Sequence, residues 1–411
     1  MNIMNIPLPN ERRRVLIVGL GIAGMSAAIS LSNAGWIPTI IERTAMRRTG
    51  GYFVGLFPEG LQAATRLGVM DYIHLRTPKP SVTWEVNLDG SRRLSPGFFD
   101  QPGNPQGVLR GDIEAGLWQA IDGRMDVRFA TTPTEIMTEG DSIRVRMEHL
   151  PSGEEIEEHF DLVIGADGLR STVRRLVFGP HEHFMKPLNA MICAFQLNEQ
   201  VPPFTNRDSV ILSRPGRALW IFGFKDRPPT ALFTYRTRDI DRQFKHTPGE
   251  TLREVYQDLS ANGIIEHAFD QLAAASDFLF DSVHQVKMPT WHQGRILLLG
   301  DAAWCLTLYS GMGATSGMRG GAVLGDMLQR HPRDIETALT AWEQEMRSFI
   351  RKQERLVPLK SQFFVPSNRF AAWMRWLFVT LSARRQYGKR TLGVAQDADQ
   401  VGEVETGAPT R

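Results

Sequence analysis

Val15-Leu16-Ile17-Val18-Gly19-Leu20-Gly21-Ile22-Ala23-Gly24 is the stretch from which the rest of the chain can be read. Four consecutive apolar residues, three of them β-branched, describe a parallel strand buried on both faces. The glycines follow at once, and residues 25–31 continue at helical period. Residues 37–41 then form a second apolar strand that ends in Glu42, eighteen residues beyond Gly24. Each glycine has a mechanical role. Gly19 allows the tight turn, Gly21 admits a pyrophosphate close to the backbone, and Gly24 lets the helix pack on the strand. The unpaired N–H groups of the helix N-terminus face the phosphates, and Glu42 is placed to accept from ribose hydroxyls. The run from residue 15 to 41 is uncharged and follows Arg12-Arg13-Arg14, as in a secretory signal or membrane span. Gly19, Gly21, Gly24, Gly35 and Pro38 break it into strand, helix and strand instead.

The whole composition agrees with a chain that buries a large core. Of 411 residues, 42% are hydrophobic and 22% charged, which excludes a disordered regulator. At about 100–200 residues per domain, two or three domains are expected. Lys and Arg number 47 against 45 Asp and Glu, and no long stretch concentrates the cations, so no nucleic-acid partner is expected. Cys193 and Cys305 are the only cysteines, too few for a disulfide scaffold. A reduced, cytoplasmic setting follows.

Two further segments repeat the pattern of a buried strand running into an acidic turn. One is Asp161-Leu162-Val163-Ile164-Gly165-Ala166-Asp167-Gly168, continued by the helical reading of residues 169–175. The other is Arg295-Ile296-Leu297-Leu298-Leu299-Gly300-Asp301-Ala302-Ala303, leading to Gly311-Met312-Gly313-Ala314 at the start of a helix. Three strands that each end at a ligand-competent turn suggest one extended cofactor along the carboxyl edge of a sheet.

GLGIAG, GADGLRS and GDAA…GMGA, in this order and at this separation, resemble the flavoprotein monooxygenases similar to para-hydroxybenzoate hydroxylase, a group with tetracycline-modifying and salicylate-type hydroxylases. The likeness covers about the first 345 residues. It implies FAD, with Gly300 and the Asp301 carboxylate on the flavin side and the ribityl chain. Gly311, Met312, Gly313 and Ala314 would present backbone N–H groups to the pyrimidine edge. Asp167 and Gly168 would serve both FAD and NADPH or NADH, the transient reductant. Arg110, in Val108-Leu109-Arg110-Gly111-Asp112, would reach the FAD; a surface charge is the other reading. The resemblance further implies that O2 forms a C4a-hydroperoxyflavin, whose distal oxygen passes to an aromatic or polyketide-like small molecule. N–H donors near the flavin N1 and C2=O would stabilise the reduced form.

The chain departs from that family at several points. Trp304 and Leu308 stand where the family has His and Pro, and Gly320-Gly321 replaces a common Asp-Ala. Val54-Gly55-Leu56 replaces a segment that often carries Asp. Trp304 and Leu308 motivate a second reading, a flavin-dependent reductase or oxidase of an unsaturated ring. A third is a non-catalytic flavin- or ligand-binding protein. No second dinucleotide fingerprint occurs, and Trp220-Ile221-Phe222-Gly223-Phe224 does not match the WxWxIP of tryptophan halogenases. His181-Glu182-His183 lacks a third ligand at metal-site spacing, so no metal is expected. No protein acid or base is assignable.

The expected architecture is α/β: a Rossmann-like FAD-binding domain (1–75, 101–180 and 285–333) carrying an inserted antiparallel β-sheet substrate domain (76–100 and 181–284). Strands at 82–87, 190–196, 209–213, 218–224 and 230–236 follow from alternation between Pro-rich turns. Trp220, Phe222 and Phe224 share a face, as pocket lining or as sheet core. C-terminal helices occupy 334–390, one over 334–355 and one over 366–382. The second is expected to pack over the substrate sheet, with membrane-surface contact the alternative. Residues 391–411 are expected to be a disordered tail. The oligomeric state is not legible.

Overall fold

The computed structural model describes residues 13–48 and 50–387, so the expected disorder of 391–411 lies outside the described residues. Its first sheet runs, in spatial order, through His292–Gln293, Ile296–Leu298, Leu162–Gly165, Arg14–Val18, Ile37–Ile41 and Asp126–Arg128. All pairings are parallel except the short outer one between His292–Gln293 and Ile296–Leu298. Val15, Leu16, Ile17, Leu162, Val163, Ile164, Leu297 and Leu298 are buried, as strands covered on both faces must be. Val18 pairs with Gly165, and Gly165 pairs with Leu298. The three motif turns therefore leave the sheet from one row, at its carboxyl edge.

Helix packing then brings two helix N-termini together above that edge. The helix Ile22–Asn33 lies against the long helix Gly313–Arg330. Gly317, Gly321 and Gly325, four residues apart, face it. A Cβ on Gly321 would stand 2.6 Å from the Ala27 nitrogen, and one on Gly325 2.1 Å from the Ser30 hydroxyl oxygen. Ser30 Oγ donates to Ala322 O at 3.1 Å, an approach that only small residues permit. Gly321 is thus explained by contact between the two helices.

The second sheet has seven strands in the order Phe278–Val286, Met185–Gln196, Thr230–Arg236, Arg217–Phe222, Asp208–Arg214, Val82–Val86 and Arg92–Leu94. It is antiparallel save that Val82–Val86 runs parallel to Asp208–Arg214. No hairpin ties those two strands, which come from separate parts of the chain, so their direction is free of the turn constraint. The period of two divides the sheet's faces. Ile192, Ala194, Trp220, Phe222 and Leu232 join the core shared with the first sheet. Met191, Cys193, Phe195, Leu219, Ile221 and Phe233 pack under the helices Pro248–Tyr256 and Ile264–Ala274.

Four elements differ from the sequence expectation in extent or kind. A three-stranded antiparallel sheet (Thr131–Glu139, Ser142–His149, Glu154–Phe160) has no counterpart among the expected strands. The segment after Gly168 turns and then makes a π-helical turn over Arg174–Phe178 rather than a regular helix. The helix starting at Ile335 continues through Pro358 to Phe364, and the last one covers Arg369–Tyr387. The second of these docks on the seven-stranded sheet through Arg375, Val379 and Ala383, Arg375 pairing with Glu85, while its aromatic residues face outward.

Candidate active site

A cleft of about 350 Å³ opens between the carboxyl edge of the parallel sheet and the inner face of the mixed sheet. Gly21, Arg110, Gly168, Gly300, Asp301, Gly311, Gly313 and Ala314 line it; Gly19, Gly24, Glu42, Asp167 and Met312 do not. The two groups do different mechanical work.

Gly19 and Gly24 shape the first turn. Gly19 has φ of 108°, and a Cβ there would meet the Ala166 carbonyl oxygen at 2.5 Å. A Cβ on Gly24 would stand 2.0 Å from the Gly19 carbonyl oxygen. At Gly21, by contrast, a Cβ would have only an Arg110 terminal nitrogen near it, at 3.9 Å. The space beside Gly21 is therefore cleft, and no side chain caps the helix that begins there. Its free N–H groups carry the positive end of the helix dipole into the cleft.

Arg110 is fixed by its Nε, which donates to Glu114 Oε1 at 3.0 Å, and Glu114 is itself buried. Burial disfavours the guanidinium charge, but Tyr52 and Glu114 outweigh it and raise the pKa, so the group stays cationic. Glu42, half-buried at the end of its strand, accepts from Leu20 N at 3.0 Å with one oxygen. Its other oxygen accepts from Thr44 N and Thr44 Oγ1, both at 3.0 Å. It braces the glycine turn just outside the cleft.

Asp167 Oδ2 accepts from Thr172 N at 2.6 Å and Val173 N at 3.1 Å, which holds the turn after the second strand. Its Oδ1 is buried without a hydrogen-bond partner, and burial raises the carboxyl pKa. Gly168, with φ of 78°, takes the chain past the cleft mouth. Arg170 in the same motif forms a two-pronged pair with Asp281 on the mixed sheet, at 2.8 and 2.7 Å.

Asp301 begins a short helix at the end of the third strand. Its side chain is open to the cleft, yet protein atoms crowd it enough that burial raises its carboxyl pKa against the opposing influence of Arg110 and Cys305. A carboxylate at a strand end that opens into a cleft beside the Arg110 guanidinium is placed to meet a ligand. Gly311, with φ of 68°, leads into the uncapped helix at Gly313, where a side chain would project into open space. Met312 is buried, and its N–H already donates to Ser310 Oγ at 3.1 Å. The donors facing the cleft in this turn are those of Gly313 and Ala314.

The wall opposite is largely apolar, with Thr230, Asp281, Ser282 and His284 as its polar residues. Phe53 stacks on Phe222 with ring centroids 4.2 Å apart, and Phe98 meets Phe53 edge-on at 5.0 Å. Ile192, Leu232, Val283 and Phe364 extend the surface. Of the three aromatic residues assigned to one strand face, Phe222 lines the cleft, whereas Trp220 is covered by Phe364, to whose carbonyl its Nε1 donates at 3.0 Å. Phe224 lies beyond the strand end and is buried. Sequence reasoning missed Phe53, Phe98 and Phe364 as lining residues; they come from a short strand, a 3-10 turn and the end of a distant helix, and carry no local signal.

The departures at Trp304 and Gly320 prove to be one feature. Trp304 does not line the cleft but packs with Trp291 (4.6 Å between centroids) and Trp342 (6.0 Å). A Cβ on Gly320 would stand 3.1 Å from the Trp304 ring and 2.8 Å from Leu299. Trp342 Nε1 donates to Gly320 O at 2.9 Å. The glycine makes room for the indole. Leu308 does line the cleft. Among the described residues, no group of His, Cys, Asp and Glu is arranged to hold a metal.

These features fit FAD: two uncapped helix N-termini, a locked guanidinium, a carboxylate at a strand end, and glycines where side chains would fill the cleft. Comparison with known proteins agrees. An FAD-dependent monooxygenase of Sarocladium schorii is 25% identical over 405 residues, covering 90% of this chain and 93% of that protein. The tetracycline destructase Tet(51) superposes with a TM-score of 0.72 at 24% identity, covering 93% and 99% of the two chains. Klebsiella pneumoniae HpxO, complexed with FAD and uric acid, does so with a TM-score of 0.74 at 17% identity, covering 94% and 97%. Residues 12–355 match the family described as the FAD binding domain. With its three motif turns in one register row around this cleft, the chain belongs to the FAD binding domain family of flavoprotein monooxygenases.

Proposed function

We propose that the protein uses NADPH or NADH and O2 to hydroxylate an aromatic or polyketide-like small molecule. The observation that carries this reading is the continuity of the cleft. One cavity runs from Gly21 and Arg110, past Asp301 and Gly313, to the apolar wall of Phe53, Phe222 and Leu232. Bound FAD supplies the electron transfer and oxygen activation that protein side chains cannot.

The chain's own residues supply position and field. The helix N-terminus at Gly21 and the Arg110 guanidinium suit the pyrophosphate, and the Glu42 carboxylate, which holds the glycine turn through Leu20 N, suits the ribose hydroxyls. Asp301 suits the ribityl hydroxyls, with Gly300 admitting the chain beside it. The N–H groups of Gly313 and Ala314 suit the pyrimidine edge, where negative charge gathers on reduction. Gly311 sets that turn, and Asp167 holds Gly168 at the mouth. The aromatic wall excludes water from the reacting centre and receives a planar substrate. In this division, 1–75, 101–180 and 285–333 hold the cofactor, while 76–100 and 181–284 furnish the substrate wall. Trp304 belongs to a packed tryptophan cluster, so its replacement of His offers no argument for a reductase or oxidase.

The test is anaerobic reduction of the purified holoprotein by NADPH or NADH, followed by O2 and a panel of phenols and polycyclic ketones. Flavin bleaching, then oxygen-dependent formation of a hydroxylated product, is expected. Reduction and reoxidation with no oxygenated product from any substrate that stimulates NAD(P)H consumption would overturn the proposal.

A further inference from the structure

The last described helix, Arg369–Tyr387, is anchored by polar contacts and turns its aromatic residues outward. On the docked side, Arg375 is 6% exposed, Val379 1% and Ala383 4%. Arg375 pairs with Glu85 of the mixed sheet and its Nε donates to Phe363 O at 2.8 Å. Glu85 also holds Arg93 at 2.7 Å, and Arg93 Nη1 donates to Thr380 Oγ1 at 2.8 Å. Burial opposes the Glu85 charge, but Arg375 and Arg93 outweigh it and lower its pKa, so the anchor is ionic.

The opposite side carries Phe370, Trp373, Met374, Leu377 and Leu381, at the three- and four-residue steps of one helical face, with Phe378 beside them. Phe370 is 70% exposed, Trp373 52%, Phe378 61% and Leu381 56%. A contiguous stripe of this size facing solvent marks an interaction surface. Its charge pattern selects the partner. Arg369 precedes the stripe, Arg384 and Arg385 close it, Lys389 and Arg390 follow in the sequence, and no Asp or Glu occurs from residue 369 to 396. Among the described residues, no helix is long and apolar enough to cross a membrane. Aromatic and aliphatic residues on one face, with cations at both ends and no anion, fit a helix lying in the plane of an anionic bilayer surface.

We propose that this helix seats the protein on anionic lipid, with Phe370, Trp373, Phe378 and Leu381 entering the headgroup–acyl boundary and Arg384 and Arg385 meeting lipid phosphates. Phe378 touches Phe363 (6.2 Å between centroids), which precedes the cleft-lining Phe364 in the chain. The seat therefore lies close to the cleft on the substrate side.

The experiment is sedimentation of the full-length FAD-loaded protein with vesicles of phosphatidylcholine alone or mixed with phosphatidylglycerol. Binding to the mixed vesicles, weakened by salt, is expected. Arg384→Gln combined with Arg385→Gln should lower that partition roughly thirtyfold at low salt. Trp373→Ser combined with Leu381→Ser should abolish it without loss of bound FAD or melting temperature, because both side chains are exposed. No sedimentation with mixed vesicles overturns the proposal. So does binding that appears only after residues 388–411 are removed, which would make the tail the occupant. Self-association that the serine variant disperses, without lipid binding, would make the face a contact between copies and likewise overturn it.

Discussion

Asp301→Ala separates a cofactor ligand from a structural carboxylate. Asp301 gives the fold little: its side chain opens to the cleft, and as the first residue of a short helix it offers the dipole about 0.3–1 kcal/mol. Against this stands the cost of burial, which raises its pKa. The apo-protein should therefore melt within about 2–3 °C of the wild type. A charge-assisted hydrogen bond to a ligand contributes about 1.5–3 kcal/mol, so FAD should bind roughly 10- to 150-fold more weakly. Asp301→Asn, which keeps one acceptor, should lose less. The pH dependence has a definite sign. With its folded pKa raised, Asp301 leaves the folded state holding more protons than the unfolded one between the two values, so apo stability falls as pH rises through the folded pKa. Asp301→Asn lacks that loss, and its melting advantage over the wild type should grow from pH 4 upward. The assay is FAD titration by fluorescence quenching, with melting of the same apo samples. A large loss of apo stability with undiminished FAD affinity would make Asp301 a structural carboxylate instead.

Gly24→Ala places a Cβ against the Gly19 carbonyl, backbone on backbone, and should cost at least about 1–3 kcal/mol by denaturant melting and weaken FAD retention; a neutral result would mean the first turn is built differently. Trp304→Ala should cost about 3–5 kcal/mol through the cavity left between Trp291 and Trp342, with little change in FAD affinity once folded. Burial opposes the Glu343 charge, but His292, the Trp291 N–H and Arg347 outweigh it and hold the pKa at about 2, below the usual 4.5. Its stabilising effect is present above pH 4.5 and fades as pH falls toward 2, so the melting gap between wild type and Glu343→Gln should close over that window. A gap that stays constant to pH 2 would show that the carboxylate is not what those donors stabilise.

What the sequence discloses is local in origin. Residues 15–24, 161–168 and 295–303 each combine a run of buried apolar residues with a turn that only glycine or acid explains, and the register Val18–Gly165–Leu298 follows once all three strands feed one ligand. The tryptophan cluster is hidden because Trp291, Trp304 and Trp342 are separated in sequence, and Gly320 reads as a weak helix residue until the indole beside it is seen. Phe53, Phe98 and Phe364 reach the cleft from three different elements, which no periodicity connects. The parallel pairing of Val82–Val86 with Asp208–Arg214 depends on tertiary placement across a long separation. The docking face of the last helix is hidden because it is set by the ion pair of Arg375 with Glu85, a partner 290 residues away in the sequence, and not by the apolar residues.

If the proposed function holds, this cleft transfers one atom of molecular oxygen to a small molecule held against the Phe53–Phe222 wall. That transfer is read by turnover under ¹⁸O2 in ordinary water, with a substrate that stimulates NADPH or NADH consumption, followed by mass analysis of the product. One labelled oxygen atom is expected in the product, and none when the label is supplied only in water. A product altered in mass but free of the label would contradict the transfer.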